Sequence, residues 1–323
     1  MSIEVRGLRR SFGTVKAVDG IDLTAAPGEV TALVGPNGAG KTTLLLVLAT
    51  LLAPDEGTVR VAGHDPVTAP RQVRRLMGWM PDGFGTWDTL TVREVLATVA
   101  ATYGIGRAAA ADRIEELLAL VHLADLHDRP ARVLSRGQKQ RLGLARALVH
   151  DPDVLLLDEP ASGLDPRSRI ELRDVLRDLA DRGRTILVSS HILVELEEMA
   201  DRAVIIDGGR TVATHDLRSP GRTGRWLLAV LDAAAFEAAL PRVADGDGRA
   251  QGPRWQPSTV RRVPVPAWPP TYELALGDPS AAADLVARLV TAGVPVCGLA
   301  PATDGGLEAA YLSATAEHEG ARR

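Results

Sequence analysis

The chain has 323 residues, 46% hydrophobic and 24% charged, with a mean hydropathy of +0.03. That is the make-up of one large folded domain or two smaller ones, which excludes disordered, collagen-like and fibrous classes. A formal net charge of −4 argues against a strongly basic nucleic-acid binder. The longest apolar run, Leu44–Ala53, is interrupted by Thr50 and falls short of the roughly 20 residues that cross a bilayer. The N-terminus Met1-Ser2-Ile3-Glu4-Val5-Arg6 has an acid where a secretory signal needs a basic segment and then an apolar core. The single cysteine, Cys297, can form neither an intrachain disulfide nor a zinc cage. The expectation is a cytosolic protein with no span of its own.

In chain order, short runs rich in β-branched residues and bounded by Gly, Pro or Asp predict strands at Ile3–Leu8, Ile21–Thr24, Val30–Val34, Thr58–Val61, Val154–Leu157, Ile186–Ser189, Ala203–Ile206 and Thr211–Ala213. Apolar spacing at the helical period, or strong helix formers, predicts helices at Gly40–Leu51, Val92–Tyr103, Ala109–Val121, Gln138–Val149, Arg167–Asp181 and Ile192–Ala200. The unbroken apolar run Val154-Leu155-Leu156-Leu157 suits a parallel strand buried on both faces. Residues 1–218 therefore read as an α/β domain.

Ser219–Arg225 has the Gly, Pro and Arg content of a linker, and 11 of the 21 prolines lie in residues 220–323. Beyond the linker, strands are predicted at Trp226–Val230, Val260–Val265, Tyr272–Leu276 and Val294–Leu299, with helices at Ala233–Leu240 and Ser280–Ala292. Asp245–Pro270 reads as a long loop. The order βαββαβ predicts a small α+β accessory domain of ferredoxin-like type over 226–323.

The most informative segment is Gly35-Pro36-Asn37-Gly38-Ala39-Gly40-Lys41-Thr42, a GxxxxGK[ST] pattern standing between an apolar strand and an apolar helix. Its glycines allow backbone N–H groups to turn inward around phosphates, with Thr43 extending the cradle. The helix N-terminus adds its positive dipole end, Lys41 can reach the β- and γ-phosphates, and the Thr42 hydroxyl can ligand Mg²⁺. Only three of the 37 basic residues are lysines, which makes a lysine at this position the more telling. Downstream, Val154–Leu157 ends in Asp158-Glu159-Pro160. There Asp158 can hold the Mg²⁺ shell and Glu159 can polarise an attacking water.

Leu134-Ser135-Arg136-Gly137-Gln138 lies 23 residues before Asp158, and the set now resembles the ABC ATPases. Their signature is LSGGQ; Ser162-Gly163-Leu164-Asp165 looks like their D-loop, Ser190-His191 like their switch histidine, and Phe12 stands where their adenine-stacking aromatic does. The resemblance covers about residues 1–215. It implies a P-loop NTPase fold with a helical subdomain, and ATP with Mg²⁺ as cofactors. It also implies head-to-tail pairing of two copies, with ATP between the cradle of one and the signature of the other. Ser135, Gly137 and Gln138 would then supply donors across the dimer, Asp165 would sit at the seam, and His191 would contact the γ-phosphate.

Two departures stand out. Asp82 occupies the place of the family's usual glutamine; as a carboxylate it could ligand Mg²⁺ or its water. Arg136 replaces a glycine of the signature, pointing either to solvent or toward the phosphates. Phe84 and Trp87 follow Asp82 in a region that, in transporters of this family, borders a groove for a helix of the membrane subunit. Both could equally pack between subdomains.

Met77–Asp82, the arginine-bearing signature and the ending Leu307-Glu308-Ala309-Ala310-Tyr311-Leu312 resemble the drug-resistance (daunorubicin and polyketide-antibiotic) exporter ATPases. That resemblance implies an ATP-hydrolysing subunit peripheral to the inner face of the cell membrane, acting with a separate permease and without nucleic acid. The alternative is a soluble ABC ATPase acting on nucleic acid or ribosomes. Against it, there is one cassette, and only 94 positions separate Lys41 from Ser135, too few for a long coiled-coil insertion.

Overall fold

The computed structural model describes residues 2–83, 85, 89–190, 192–217, 225–244, 260–262, 269–276, 279–301, 307 and 311. The chain separates into two compact units, Met1–Leu217 with Ala310–Arg323, and Arg218–Ala309. The first unit is built on β1 (Ile3–Phe12), β2 (Val15–Ala25), β3 (Val30–Val34), α1 (Lys41–Leu48), β4 (Glu56–Val61), α2 (Pro70–Leu76), β5 (Met77–Met80), α3 (Val92–Thr102), α4 (Arg107–Leu120), α5 (Arg136–Leu148), β6 (Val154–Asp158), α6 (Pro166–Asp181), β7 (Thr185–Ser190), α7 (Leu193–Met199), β8 (Arg202–Asp207) and β9 (Arg210–Asp216).

Six strands form one sheet in the order β5-β6-β7-β3-β8-β9, parallel except for the final β8–β9 pair. Every residue of β3 and β6 is buried, as expected for parallel strands covered on both faces. A second sheet, β2-β1-β4, is antiparallel, and its Ile3, Val5, Ile21 and Val61 join Leu44, Leu48 and Leu156 in one apolar core. Helices α3, α4 and α5 pack on one another as a helical subdomain between β5 and β6.

Several boundaries differ from the sequence reading for identifiable reasons. Helix α1 ends at Leu48 rather than Leu51 because Thr50 turns to φ +65°; the Leu51 and Leu52 N–H groups then reach back to the Leu46 carbonyl at 2.9 and 3.2 Å. Helix α5 starts at Arg136, two residues before the expected Gln138, because Ser135 caps it. Strand β5 was not expected. It contains Gly78, where a Cβ would stand 2.2 Å from the Ala147 carbonyl oxygen of α5, so only glycine lets the strand pass beneath that helix.

The second unit contains β10 (Arg225–Val230), α8 (Ala233–Ala244), β11 (Arg261–Arg262), β12 (Thr271–Ala275), α9 (Pro279–Thr291) and β13 (Val296–Pro301). Its sheet runs β11-β12-β10-β13, antiparallel throughout. This is the ferredoxin-like βαββαβ arrangement. Its core joins Leu228, Phe236, Leu274, Leu285 and Leu289, and the buried Tyr272 hydroxyl donates to Glu237 Oε1 at 3.0 Å. Of the expected loop Asp245–Pro270, residues 245–259 and 263–268 lie outside the described residues, as do 219–224 of the expected linker.

Candidate active site

The Gly35–Thr42 loop joins β3 to α1. Pro36, Asn37 and Gly38 form its exposed crest, while Gly35, Ala39, Gly40 and Lys41 are buried. Two of its glycines are dictated by the protein itself. A Cβ at Gly35 would lie 2.3 Å from the Ile206 carbonyl oxygen, and one at Gly40, whose φ is +101°, would lie 2.5 Å from that of Ala17. The loop is therefore pinned between β8 and β2, with the N-terminus of α1 behind it. Thr42 is exposed on the first turn of α1 and Thr43 half-buried beside it.

Lys41 folds back over this loop, its Nζ donating to the carbonyls of Gly35 at 2.6 Å and Pro36 at 3.2 Å. Burial lowers the pKa of its ammonium from the ordinary lysine value, while the nearby Glu159 and Asp158 carboxylates act in the opposite direction. A desolvated cation near two carboxylates, at the N-terminus of a helix, is suited to a polyphosphate once a metal offsets the carboxylates.

Asp158 ends β6 and is held from both sides. Its Oδ2 accepts from Thr42 Oγ1 at 3.1 Å, and its Oδ1 accepts from Ser189 Oγ at 2.5 Å. The parallel register that sets Asp158 opposite Ser189 brings the serine there. The Glu159 N–H donates to both the Ser189 hydroxyl and the Ser189 carbonyl, each at 3.1 Å. Glu159 takes φ +51°, a conformation costing a non-glycine residue about 1–3 kcal/mol, which persists only where surroundings impose it. Here the Ser189 bonds and the Ser162 N–H, which donates to the Glu159 carbonyl at 3.0 Å, impose it. Ser189 is thus a site residue that the sequence reading missed; the available signal was a pair of serines closing an otherwise apolar strand.

Phe12 ends β1 with 49% of its surface exposed, and the Arg10 guanidinium lies 5.0 Å from its ring centroid. Asp55 fixes this corner, accepting from Arg10 Nη1 at 2.6 Å and from the Ser11 N–H at 2.7 Å. An exposed, held aromatic face is a stacking platform.

Ser135 is exposed and caps α5 in a reciprocal pair: its Oγ accepts from the Gln138 N–H at 3.2 Å, and Gln138 Oε1 accepts from the Ser135 N–H at 2.9 Å. Gly137 packs on Leu164, where a Cβ would meet Leu164 Cδ2 at 3.3 Å. Asp165 caps α6, accepting from Ser168 N–H at 3.0 Å and Ser168 Oγ at 2.5 Å. These bonds hold its carboxyl below the usual value. Arg136 is exposed to solvent, one of the two orientations expected from sequence, and is also tied to the protein. Its Nη2 donates to Ser162 Oγ at 2.7 Å, turning the guanidinium onto the 162–165 turn.

Asp82 is exposed just beyond β5, whose Met80 lies opposite Leu157 of β6. It leaves the sheet at the same end as Asp158, without a hydrogen bond or ion pair to the described residues. His191, Phe84 and Trp87 lie outside the described residues. The structure therefore gathers Lys41, Thr42, Asp158 and Glu159 at the carboxyl ends of β3 and β6. Ser135 and Asp165 are exposed and Gly137 and Gln138 half-buried, at the N-terminal ends of α5 and α6.

A family model described as ABC transporter matches residues 18–162. The chain is 42% identical over 221 residues to the daunorubicin/doxorubicin resistance ATP-binding protein DrrA of Streptomyces peucetius, over 68% of this chain and 67% of that protein. This chain belongs to the ABC transporter ATP-binding proteins. As an ABC ATPase it hydrolyses ATP to energise transport, as the ordered motifs implied. Its cassette is also 41% identical over 212 residues to the Nod factor export ATP-binding protein I of Paraburkholderia xenovorans, covering 66% of this chain and 70% of that protein. The fold matches the structure of an ATP-binding subunit of an ABC transporter with a TM-score of 0.64 at 29% identity, over 69% of this chain and 92% of that one.

Proposed function

We propose that this ABC ATPase powers an exporter whose membrane-crossing part is a separate polypeptide, working as two copies closed head to tail on two ATP molecules. The observation that carries this reading is the convergence of Lys41, the Thr42–Asp158 pair and Glu159 on one side of the chain, with the capped N-terminus of α5 exposed elsewhere. The cradle groups and the donors at the start of α5 stand on different elements, and a second copy placed head to tail would bring the two sets together on one nucleotide.

In this reading the Gly35–Thr43 loop and Lys41 bind the β- and γ-phosphates, and Phe12 stacks on the adenine. Thr42 and Asp158 offer hard oxygens 3.1 Å apart. Among the described residues no cluster of three or more His, Cys, Asp or Glu side chains forms a cage. That donor set suits Mg²⁺, which takes one or two protein oxygens and completes its shell with phosphate and water; bound there, it would neutralise charge developing on the transferred phosphoryl group. Asp82, at the same sheet end, is a further oxygen for that metal or its water, and a link toward the permease. Glu159 orients and polarises the attacking water, and His191 contacts the γ-phosphate. From the partner copy, Ser135, the Gly137 N–H and Gln138 supply donors to the same phosphate, with Asp165 at the seam.

Among the described residues no helix is long and apolar enough to cross a membrane, which supports a separate permease with this chain on the membrane's inner face. The relatives act in drug resistance and Nod factor export, which supports a drug-, antibiotic- or lipid-like cargo. Residues 226–323 are assigned a regulatory or dimer-supporting role. The test is co-purification of the full chain from its native membrane. Recovery of a polytopic membrane protein that stimulates ATP hydrolysis, with stimulation lost in Glu159→Gln, supports the reading. Recovery of ribosomes or DNA instead contradicts it.

A further inference from the structure

In the free chain, the signature helix and the D-loop turn are already joined by a contact that the glycine-containing form of the motif cannot make. Arg136 is the first residue of α5. Its guanidinium donates to Ser162 Oγ at 2.7 Å, and its side-chain stem lies flat on Gly163. A Cβ there would come within 2.6 Å of Arg136 Cδ and 2.7 Å of Nε. Gly163 has φ +76°, so glycine is required at this turn both for its backbone and for room to seat the arginine. The next residues reinforce the join. Gly137 packs on Leu164, and Arg141, one turn further along α5, donates to Ser168 Oγ at 2.6 Å and Glu171 Oε2 at 2.7 Å on α6. From Ser162 the connection continues through its N–H to the Glu159 carbonyl at 3.0 Å.

We infer that Arg136 is a positioning residue that fastens the N-terminus of α5 to the 162–165 turn of the same copy. The two elements facing the partner's nucleotide are thereby presented as one preformed surface. The inference rests on the two-copy reading above. Both elements carry groups assigned to the seam, Ser135 and Gln138 on one and Asp165 on the other. If they moved independently, closure would have to order each in turn; fastening them beforehand removes that ordering cost from association. The guanidinium suits this task because its planar fork retains the Ser162 bond while its stem covers Gly163. The same tie reaches the carbonyl of the strained Glu159, so the surface offered to the partner's site is mechanically continuous with the turn that carries this copy's own carboxylate.

The experiment is a double-mutant cycle, Arg136→Ala, Ser162→Ala and both, in the full chain carrying Glu159→Gln. Sedimentation gives the MgATP concentration at half-dimerisation, a fluorescent ATP analogue gives the affinity of the separate copy, and thermal melting reports folding. Each single change is expected to raise the dimerisation midpoint about 3- to 10-fold, the range for loss of one charge-assisted hydrogen bond partly shared with water. The double change is expected to be no worse than either single one, with analogue affinity and melting unchanged. If the Glu159→Gln chain itself stays monomeric, the two-copy reading fails and this assignment falls with it. If that chain dimerises but the Arg136 and Ser162 changes leave the midpoint alone, act additively, or lower analogue affinity or melting instead, the Arg136 assignment alone is overturned.

Discussion

The hydroxyl of Ser189 donates to Asp158 Oδ1 at 2.5 Å and accepts the Glu159 N–H at 3.1 Å, so one side chain on β7 orients both carboxylate residues that end β6. Asp158 is 4% exposed, and removing its donor leaves a buried charged acceptor short of a partner. Ser189→Ala should therefore cost about 1.5–3 kcal/mol in stability, the range for a hydrogen bond to a charged group. It should also raise the Mg²⁺ concentration giving half-maximal ATP hydrolysis. Urea denaturation and a Mg²⁺ titration check the two effects. An unchanged Mg²⁺ dependence would show that Asp158 keeps its orientation without the serine.

In the proposed function Phe12 offers a stacking face rather than a hydrogen-bonding edge, and every base has a face to stack. Phe12→Ala should weaken binding of ATP and GTP alike, about 5- to 100-fold by the usual worth of a base–aromatic stack, while Phe12→Trp retains affinity. Calorimetric titration with both nucleotides decides the matter, and a loss confined to ATP would require an edge contact to adenine instead.

Asp165 makes a pH-dependent contribution whose sign follows from its partners. Hydrogen bonds from Ser168 depress its carboxyl below the ordinary value of 3.8 in the folded chain. The stabilisation is present in full above that ordinary value and is lost as pH falls through the depressed one. Asp165→Ala should lower the melting temperature at pH 7, and the difference from the unaltered chain should shrink as pH is taken below 4. Melting curves across that range measure it; a difference independent of pH would mean the cap acts without its charge.

The parts of this structure legible in the sequence were those written in apolar pattern and in glycine. Val154–Leu157 announces a buried parallel strand because no polar residue interrupts it, Val30–Val34 reads as a strand from its β-branched residues, and the Gly35–Thr42 cradle is identifiable because of where its glycines and lysine stand. The second unit's βαββαβ order was readable from the same alternation of runs. What escaped lacked such a signal. The outer arms of β1 and β2, around Arg9–Phe12 and Val15–Gly20, are largely polar and half-exposed, and their pairing comes from hairpin geometry. Strand β5 contains a glycine beneath α5, and glycine lowers the strand signal although the packing demands it. Helix α5 was read two residues late because its start is set by the Ser135–Gln138 cap and not by apolar spacing. Ser189 and the Arg136–Ser162 bond depend on register and on residues far apart in sequence, which no local pattern encodes.

The most direct test of nucleotide closure between two copies is to mix two defective chains. In the Glu159→Gln background, Lys41→Ala removes the cradle's cation and Ser135→Ala removes the opposing donor, so each variant alone should remain monomeric in MgATP. A mixed pair retains one complete site, with Lys41 from the Ser135→Ala copy and Ser135 from the Lys41→Ala copy. The account predicts heterodimers holding one ATP per two chains, measured by sedimentation with labelled nucleotide. A mixture that stays monomeric while the Glu159→Gln chain dimerises would contradict it.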